Sequence, residues 1–147
     1  MASYRKVLLA TDLSEFSSLL ANKAMEIVNG FGAELNLLHV FELMPMLDPS
    51  YDEILAPDYD LAEQMQEIAE GKLEMLSSTL DVPKEKQYFE TGSPSREIVR
   101  VAKEQNIDLI IIGTHGRHGL GILLGSTASS VVHHADCDVL TIRQKVV

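Results

Sequence analysis

The run Leu109-Ile-Ile-Ile112 is apolar at every position, so a strand built from it must bury both of its faces. That requirement places it at the centre of a parallel sheet with helices on either side. The rest of the chain agrees. Val7-Leu8-Leu9-Ala10 is a short run of strand formers closed by the turn-like Thr11-Asp12-Leu13-Ser14. Leu20, Ala24, Ile27, Val28 and Phe31 then recur at helical spacing, and Gly30 and Gly32 stop the helix. Ala33 to Phe41 reads as a second strand. Leu43 to Pro57 holds three prolines and no clean period, and is predicted to be a loop. Asp58 to Leu80 returns to helical spacing through Leu61, Met65, Ile68, Leu73, Leu76 and Leu80.

The second half repeats the alternation. Gln87 to Thr91 is a short strand ending at Gly92, and Ser93-Pro94 opens a helix, Ser as cap and Pro at the first helical position. Ile98, Val101 and Ala102 supply its buried stripe. The strand Asp108 to Ile112 runs into a glycine-rich stretch, Gly113 to Gly125. A helix from Ser126 to Ala135 and a last strand, Val139 to Arg143, complete the chain. The order β-α-β-α-β-α-β-α-β predicts an α/β fold, a parallel sheet with right-handed crossovers and helices on both faces. With 147 residues the chain is expected to be one domain, 1–147.

Charge narrows the function. The formal net charge of −10 argues against nucleic acid and against anionic membrane, since both attract Lys and Arg. No apolar run approaches the roughly 18 residues of a membrane span. The first ten residues pass straight into a helical segment, unlike a secretory leader. One cysteine, Cys137, has no partner for an internal disulfide, which suits a cytoplasmic location. The acidity is concentrated. Residues 24 to 71 hold eleven Asp and Glu with no Lys or Arg, leaving twelve basic against eleven acidic elsewhere. The acidic segment 42–70 is a solvated face or a surface for a protein partner.

In an open parallel sheet, ligands bind beyond the carboxyl ends of the strands. Thr11-Asp12, His39-Val40 and the stretch from Gly113 onward project there. Glycines let backbone amides approach a phosphate closely, and Ser126 and Thr127 add hydroxyls at a helix N-terminus. The stretch has no Gly-Lys-Ser/Thr, and Gly119-Leu-Gly121 is followed by Gly125 one place too late for a dinucleotide fingerprint. By itself it is as consistent with a structural turn as with a phosphate site. Asp12 could cap the first helix in an Asp-x-x-Glu15 box, and Ser126 could be a plain N-cap.

His115, His118, His133, His134 and Cys137 are metal-capable, but His133 and His134 are adjacent and point about 100° apart on a helix. No metal site is expected, nor a nucleophilic role for Cys137, which lacks an evident base.

Taken together, several segments resemble the universal stress protein family over essentially the full chain. They are Val7-Leu-Leu-Ala-Thr-Asp-Leu-Ser-Glu15, Leu37-Leu-His-Val40, Gly92-Ser-Pro94, Asp108-Leu-Ile-Ile-Ile-Gly-Thr-His-Gly-Arg117, Leu124-Gly-Ser-Thr127 and His133-His-Ala-Asp-Cys-Asp-Val-Leu140. The resemblance implies a five-stranded sheet in the order 3-2-1-4-5, a cytoplasmic location and a homodimer formed through Val139 to Arg143. It also implies binding of ATP or another adenine nucleotide, with Mg²⁺, through a Gly-x2-Gly-x9-Gly-Ser/Thr pattern. This chain matches at Gly113-x2-Gly116 but has eight residues, not nine, before Gly125. Carried over, Asp12 accepts from the adenine amino group and the Val40 backbone pairs with the adenine edge. Ala10, Thr11 and Ile112 line the pocket. Gly113, His115 and Gly116 follow ribose and phosphates, Arg117 adds a phosphate contact, and Gly125, Ser126 and Thr127 hold the phosphate end. Because residues 113 to 135 contain no Asp or Glu, efficient hydrolysis is not expected. The leading expectation is a nucleotide-binding stress-response regulator. The alternatives are a dimeric interaction module without ATP and, last, a slow ATPase.

Overall fold

Val7, Leu9, Leu109 and Ile111 point to one face of the sheet, while Leu8, Ala10, Ile110 and Ile112 point to the other, and all eight are buried. The two central strands thus make two cores. The computed structural model describes residues 4–42, 59–114 and 125–143. Its strands are β1 (Lys6–Ala10), β2 (Glu34–Phe41), β3 (Gln87–Thr91), β4 (Leu109–Gly113) and β5 (Asp138–Ile142). Its helices are α1 (Ser17–Phe31), α2 (Tyr59–Leu80), α3 (Pro94–Glu104) and α4 (Ser126–His134). A 3-10 turn at Lys84–Lys86, unforeseen from the sequence, leads into β3. All strand pairings are parallel, in the order β3-β2-β1-β4-β5.

The connections are doubly wound. α1 and Leu73, Leu76 and Leu80 of α2 cover the face that carries Leu9 and Leu37. Ile98, Val101 and Ala102 of α3, with Ala128 and Val131 of α4, cover the face that carries Leu38 and Ile110. Ile110 is fully buried, so truncation to Ala would cost about 2–5 kcal/mol.

Two details show how local chemistry sets the frame. Gly32 ends α1 at φ 63°, a left-handed conformation that glycine adopts without Cβ strain. Its amide and that of Ala33 then bond back to Asn29 and Val28 of the last turn. At the amino end of the sheet, Asp108 Oδ2 accepts from the backbone amides of both Arg5 and Lys6, each at 2.9 Å. Those two bonds hold the Asp108 carboxyl below its ordinary range, the Lys6 amide acting most strongly. Asp108 therefore precedes β4 as its clamp to β1, and the strand itself runs one residue further, to Gly113.

Ser93 stands at the N-cap of α3 with Pro94 behind it, but its hydroxyl makes no capping bond. The backbone carbonyl of Ser93 instead accepts from Glu97 at 3.0 Å.

Candidate functional site

β1 and β4 are neighbours, with Ala10 level with Ile112. From there β1 feeds α1 on one face and β4 leads toward α4 on the other. The strand order reverses at this seam, and open parallel sheets hold their ligands in the crevice beyond the carboxyl ends at such a switch point. Ala10, Thr11, Ile112 and Gly113 stand at its mouth.

The turn after β1 is held by its own side chains. Thr11 is 5% exposed. Its amide donates to the Leu38 carbonyl at 2.9 Å, and its Oγ1 accepts from the Leu13 amide at 3.1 Å. Asp12 is exposed, and its Oδ1 accepts from the Ser14 amide at 2.9 Å. This Asx turn stands where the alternative reading of Asp12 put a capping box with Glu15. Helix α1 starts only at Ser17, with Phe16 at its N-cap. Leu13 pays for the tight turn with φ 58°. The result directs the Asp12 carboxylate outward, at the end of β1.

The sequence places His39 with Val40 at the ligand end of the sheet but gives it no role there. Its Nδ1 donates to the Thr11 carbonyl at 2.8 Å, and its ring lies 5.6 Å from that of Phe89. The sequence signals were its place at the carboxyl end of the strand and its being the one polar side chain in Leu37-Leu-His-Val-Phe41.

The Val40 backbone is oriented by the ladder. Leu38 accepts from Thr11 on the β1 side, and Phe41 accepts from Gly92 on the β3 side. Backbone groups alternate sides along a strand. The N–H and C=O of Val40 therefore share the side of Leu38, where β1 has already turned away.

The third wall is the start of α4. Gly125, not Ser126, occupies its N-cap, with its carbonyl accepting from Ser129 at 2.9 Å. No side chain caps this end, so the plain N-cap reading of Ser126 does not hold. Ser126 and Thr127 sit in the first turn, where the leading amides and the helix dipole favour an anion. That turn carries no acid. A Cβ on Gly125 would lie 3.6 Å from the Thr114 carbonyl oxygen, so the two ends of the glycine stretch touch.

Within the crevice, Ala10, Thr11, Asp12, Ile112 and Gly113 are therefore brought together, with Val40 on one flank and Gly125, Ser126 and Thr127 at the loop's far end. His115, Gly116 and Arg117, together with His118, lie outside the described residues. Asp12 is the acid of this set.

The other candidates are elsewhere. His133 and His134 are exposed on the last turn of α4, and His134 Nδ1 donates to the Ser130 carbonyl of its own helix at 2.8 Å. Among the described residues no group of three or more His, Cys, Asp or Glu is arranged to hold a metal. Burial pushes the Cys137 thiol up, and Asp138, Asp108 and Asp136 push it further, which works against a thiolate. Among the described residues no helix is long and apolar enough to cross a membrane.

Comparison with known proteins gives a consistent result. The model of the universal stress protein family matches residues 3–143. Universal stress protein A homolog 1 of Coxiella burnetii is 36% identical over 143 residues, covering 97% of this chain and 98% of that protein. The solved structure of the protein MJ0577 of Methanocaldococcus jannaschii superposes with a TM-score of 0.81 at 27% identity, covering 99% of each chain. A universal stress protein solved in complex with cAMP has a TM-score of 0.67 at 20% identity, over 95% of this chain and 97% of that one. At that identity the likeness is one of fold.

Proposed function

Because the chain belongs to the universal stress protein family, we propose that it is a cytoplasmic, single-domain stress-response protein whose β1/β4 crevice binds ATP or another adenine nucleotide in a regulatory role. The observation that carries this reading is the meeting of three features at one sheet end. They are the outward Asp12 carboxylate, the Val40 backbone beside it, and the uncapped α4 N-terminus behind Gly125. Asp12 would accept from the adenine amino group and Val40 would pair with the ring edge. Ala10, Thr11 and Ile112 would line the nucleoside. Gly113, His115, Gly116 and Arg117 would follow the phosphates to Gly125, Ser126 and Thr127. The fold of the cAMP complex is shared, and the reading rests on this chain's own residues.

The residues fit a bound nucleotide better than a turnover site. Hydrolysis needs a positioned water and a metal-binding carboxylate near the phosphates. Asp12 is engaged at the base end, and residues 113 to 135 supply no acid. Bound nucleotide would act by stabilising one state of the protein, with slow hydrolysis the least favoured reading.

The second reading, an interaction module without ATP, is favoured by one observation: eight residues rather than nine separate Gly116 from Gly125. Thermal denaturation with ATP and Mg²⁺ separates the two. Ligand at 100-fold its dissociation constant adds about 2.7 kcal/mol to stability. An unchanged transition at millimolar ATP would leave the interaction module standing.

The assembly proposed is a homodimer through β5. A groove of about 380 Å³ beside it is lined by Tyr4, Ile27, Phe31 and Leu140, among others. Phe31 and Leu140 are exposed apolar groups, and an apolar strand edge invites pairing.

A further inference from the structure

The last backbone rung between β1 and β2 is the bond from the Thr11 amide to the Leu38 carbonyl, at 2.9 Å. In a parallel ladder, a residue that donates to one position of its neighbour accepts, at its carbonyl, from the amide two places further on. The start of β1 keeps this rule, with the Arg5 carbonyl accepting from Glu34 at 2.8 Å. Carried along both strands in equal steps, the same rung would join the Thr11 carbonyl to the Val40 amide.

That rung is not made. The Thr11 carbonyl accepts from His39 Nδ1 at 2.8 Å, and among the described residues no acceptor meets the Val40 amide. Nδ1 must carry a hydrogen here, because a carbonyl can only accept. The imidazole is held in turn, its ring 5.6 Å from that of Phe89 on β3. Val40 cannot swing aside to find another partner. Its side chain is buried with Ala10 and Leu38, and the next carbonyl, that of Phe41, is fixed by the Gly92 amide at 3.0 Å. An unpaired backbone donor at a buried residue is costly and uncommon, so one kept in place at the crevice points to a ligand acceptor.

We propose that His39 is a positioning residue of the nucleotide site: by holding the Thr11 carbonyl it releases the Val40 amide to donate to N1 of adenine, beside the amino group that Asp12 accepts from. The proposal rests on the nucleotide reading above and adds the reason that the Val40 amide is available. The pattern of one donor beside one carboxylate selects the base. Adenine presents an acceptor at N1 next to an amino donor. Guanine and hypoxanthine carry a hydrogen on N1 and an oxygen in place of that amino group, and would set donor against donor and carboxylate against oxygen.

The test uses the full chain with ATP and with 1-deaza-ATP, which has C–H in place of N1, both titrated by calorimetry. Wild type should bind ATP about tenfold more tightly than 1-deaza-ATP, the effect of one hydrogen bond. His39→Phe keeps a ring against Phe89 without the donor, and should bring the ratio between the two ligands close to one. His39→Asn returns a donor and should restore most of the ratio. A merely structural role for His39 would weaken both ligands equally and leave the ratio unchanged. Amide hydrogen exchange of the ligand-free protein reads the same step without nucleotide. The Val40 amide should exchange at least about tenfold faster than that of Leu38 in wild type, and should gain protection in His39→Phe as the missing rung closes. Binding of ATP with the same ratio in wild type and His39→Phe would overturn this proposal and leave the nucleotide reading standing. So would a Val40 amide as protected as that of Leu38 in the ligand-free wild type. No binding of ATP by the wild type would overturn the nucleotide reading, and this proposal with it.

Discussion

The carbonyl oxygen of Thr114 lies 3.6 Å from the place a Cβ would occupy on Gly125. That is ordinary van der Waals contact, and Gly125 has φ −57° and ψ 155°, open to any residue. Glycine is therefore not required at this position by the fold. Gly125→Ala should keep the wild-type melting temperature within about 2 °C, a change of a few tenths of a kcal/mol. If phosphate approaches this amide, the same variant should lose most of the stabilisation that ATP confers. A variant that responds to ATP as the wild type does would remove Gly125 from the phosphate path.

His39 and Thr11 predict a coupled effect. His39→Phe keeps a ring against Phe89 but takes the donor from the Thr11 carbonyl, at a cost of about 1–3 kcal/mol. His39→Asn restores a donor near the Nδ1 position and should recover part of it. Urea denaturation measures both, and the ATP-induced shift should follow the same order because Thr11 carries Asp12. Equal stability of His39→Phe and wild type would show that the bond contributes nothing.

Asp108 predicts a dependence on acid. Its folded carboxyl titrates below the ordinary value, so its stabilisation is complete above the unfolded pKa of about 4 and is lost as pH falls through the lower folded value. Asp108→Asn should cost about 1–2 kcal/mol at pH 7, the figure reduced for a partly solvated site. The gap to wild type should narrow at about pH 3. Urea midpoints at the two pH values check the sign, and a gap that widened in acid would refute the clamp.

For the dimer, Leu140 is the sensitive position. It is 36% exposed, so Leu140→Lys should leave the fold intact. Light scattering should show a dimer in the wild type and a monomer in the variant. A dimer unchanged by Leu140→Lys would move the interface away from β5.

Much of the fold was legible because its signals are local. The apolar run at 109–112, the spacing of Leu20, Ala24 and Val28, and the punctuation at Gly32 and Ser93-Pro94 depend on neighbours in the chain. The element boundaries came within one residue for most strands and helices. α1 was harder to delimit, since Thr11, Asp12 and Ser14 spend their side chains on turns before Ser17. The family resemblance supplied the strand order, which no local pattern contains.

What the sequence determined by itself was the alternation of strands and helices, the two-faced burial of β4 and the family. These follow from hydrophobic periodicity and from motif residues that can be read one after another. Only the tertiary structure decided that His39 grips the turn at Thr11, that Asp12 closes an Asx turn instead of capping α1, and that Gly125 meets Thr114. Each joins positions that periodicity cannot relate, or chooses between two bonds open to the same side chain. Such choices are made by the backbone path, which is fixed only once β1 lies between β2 and β4.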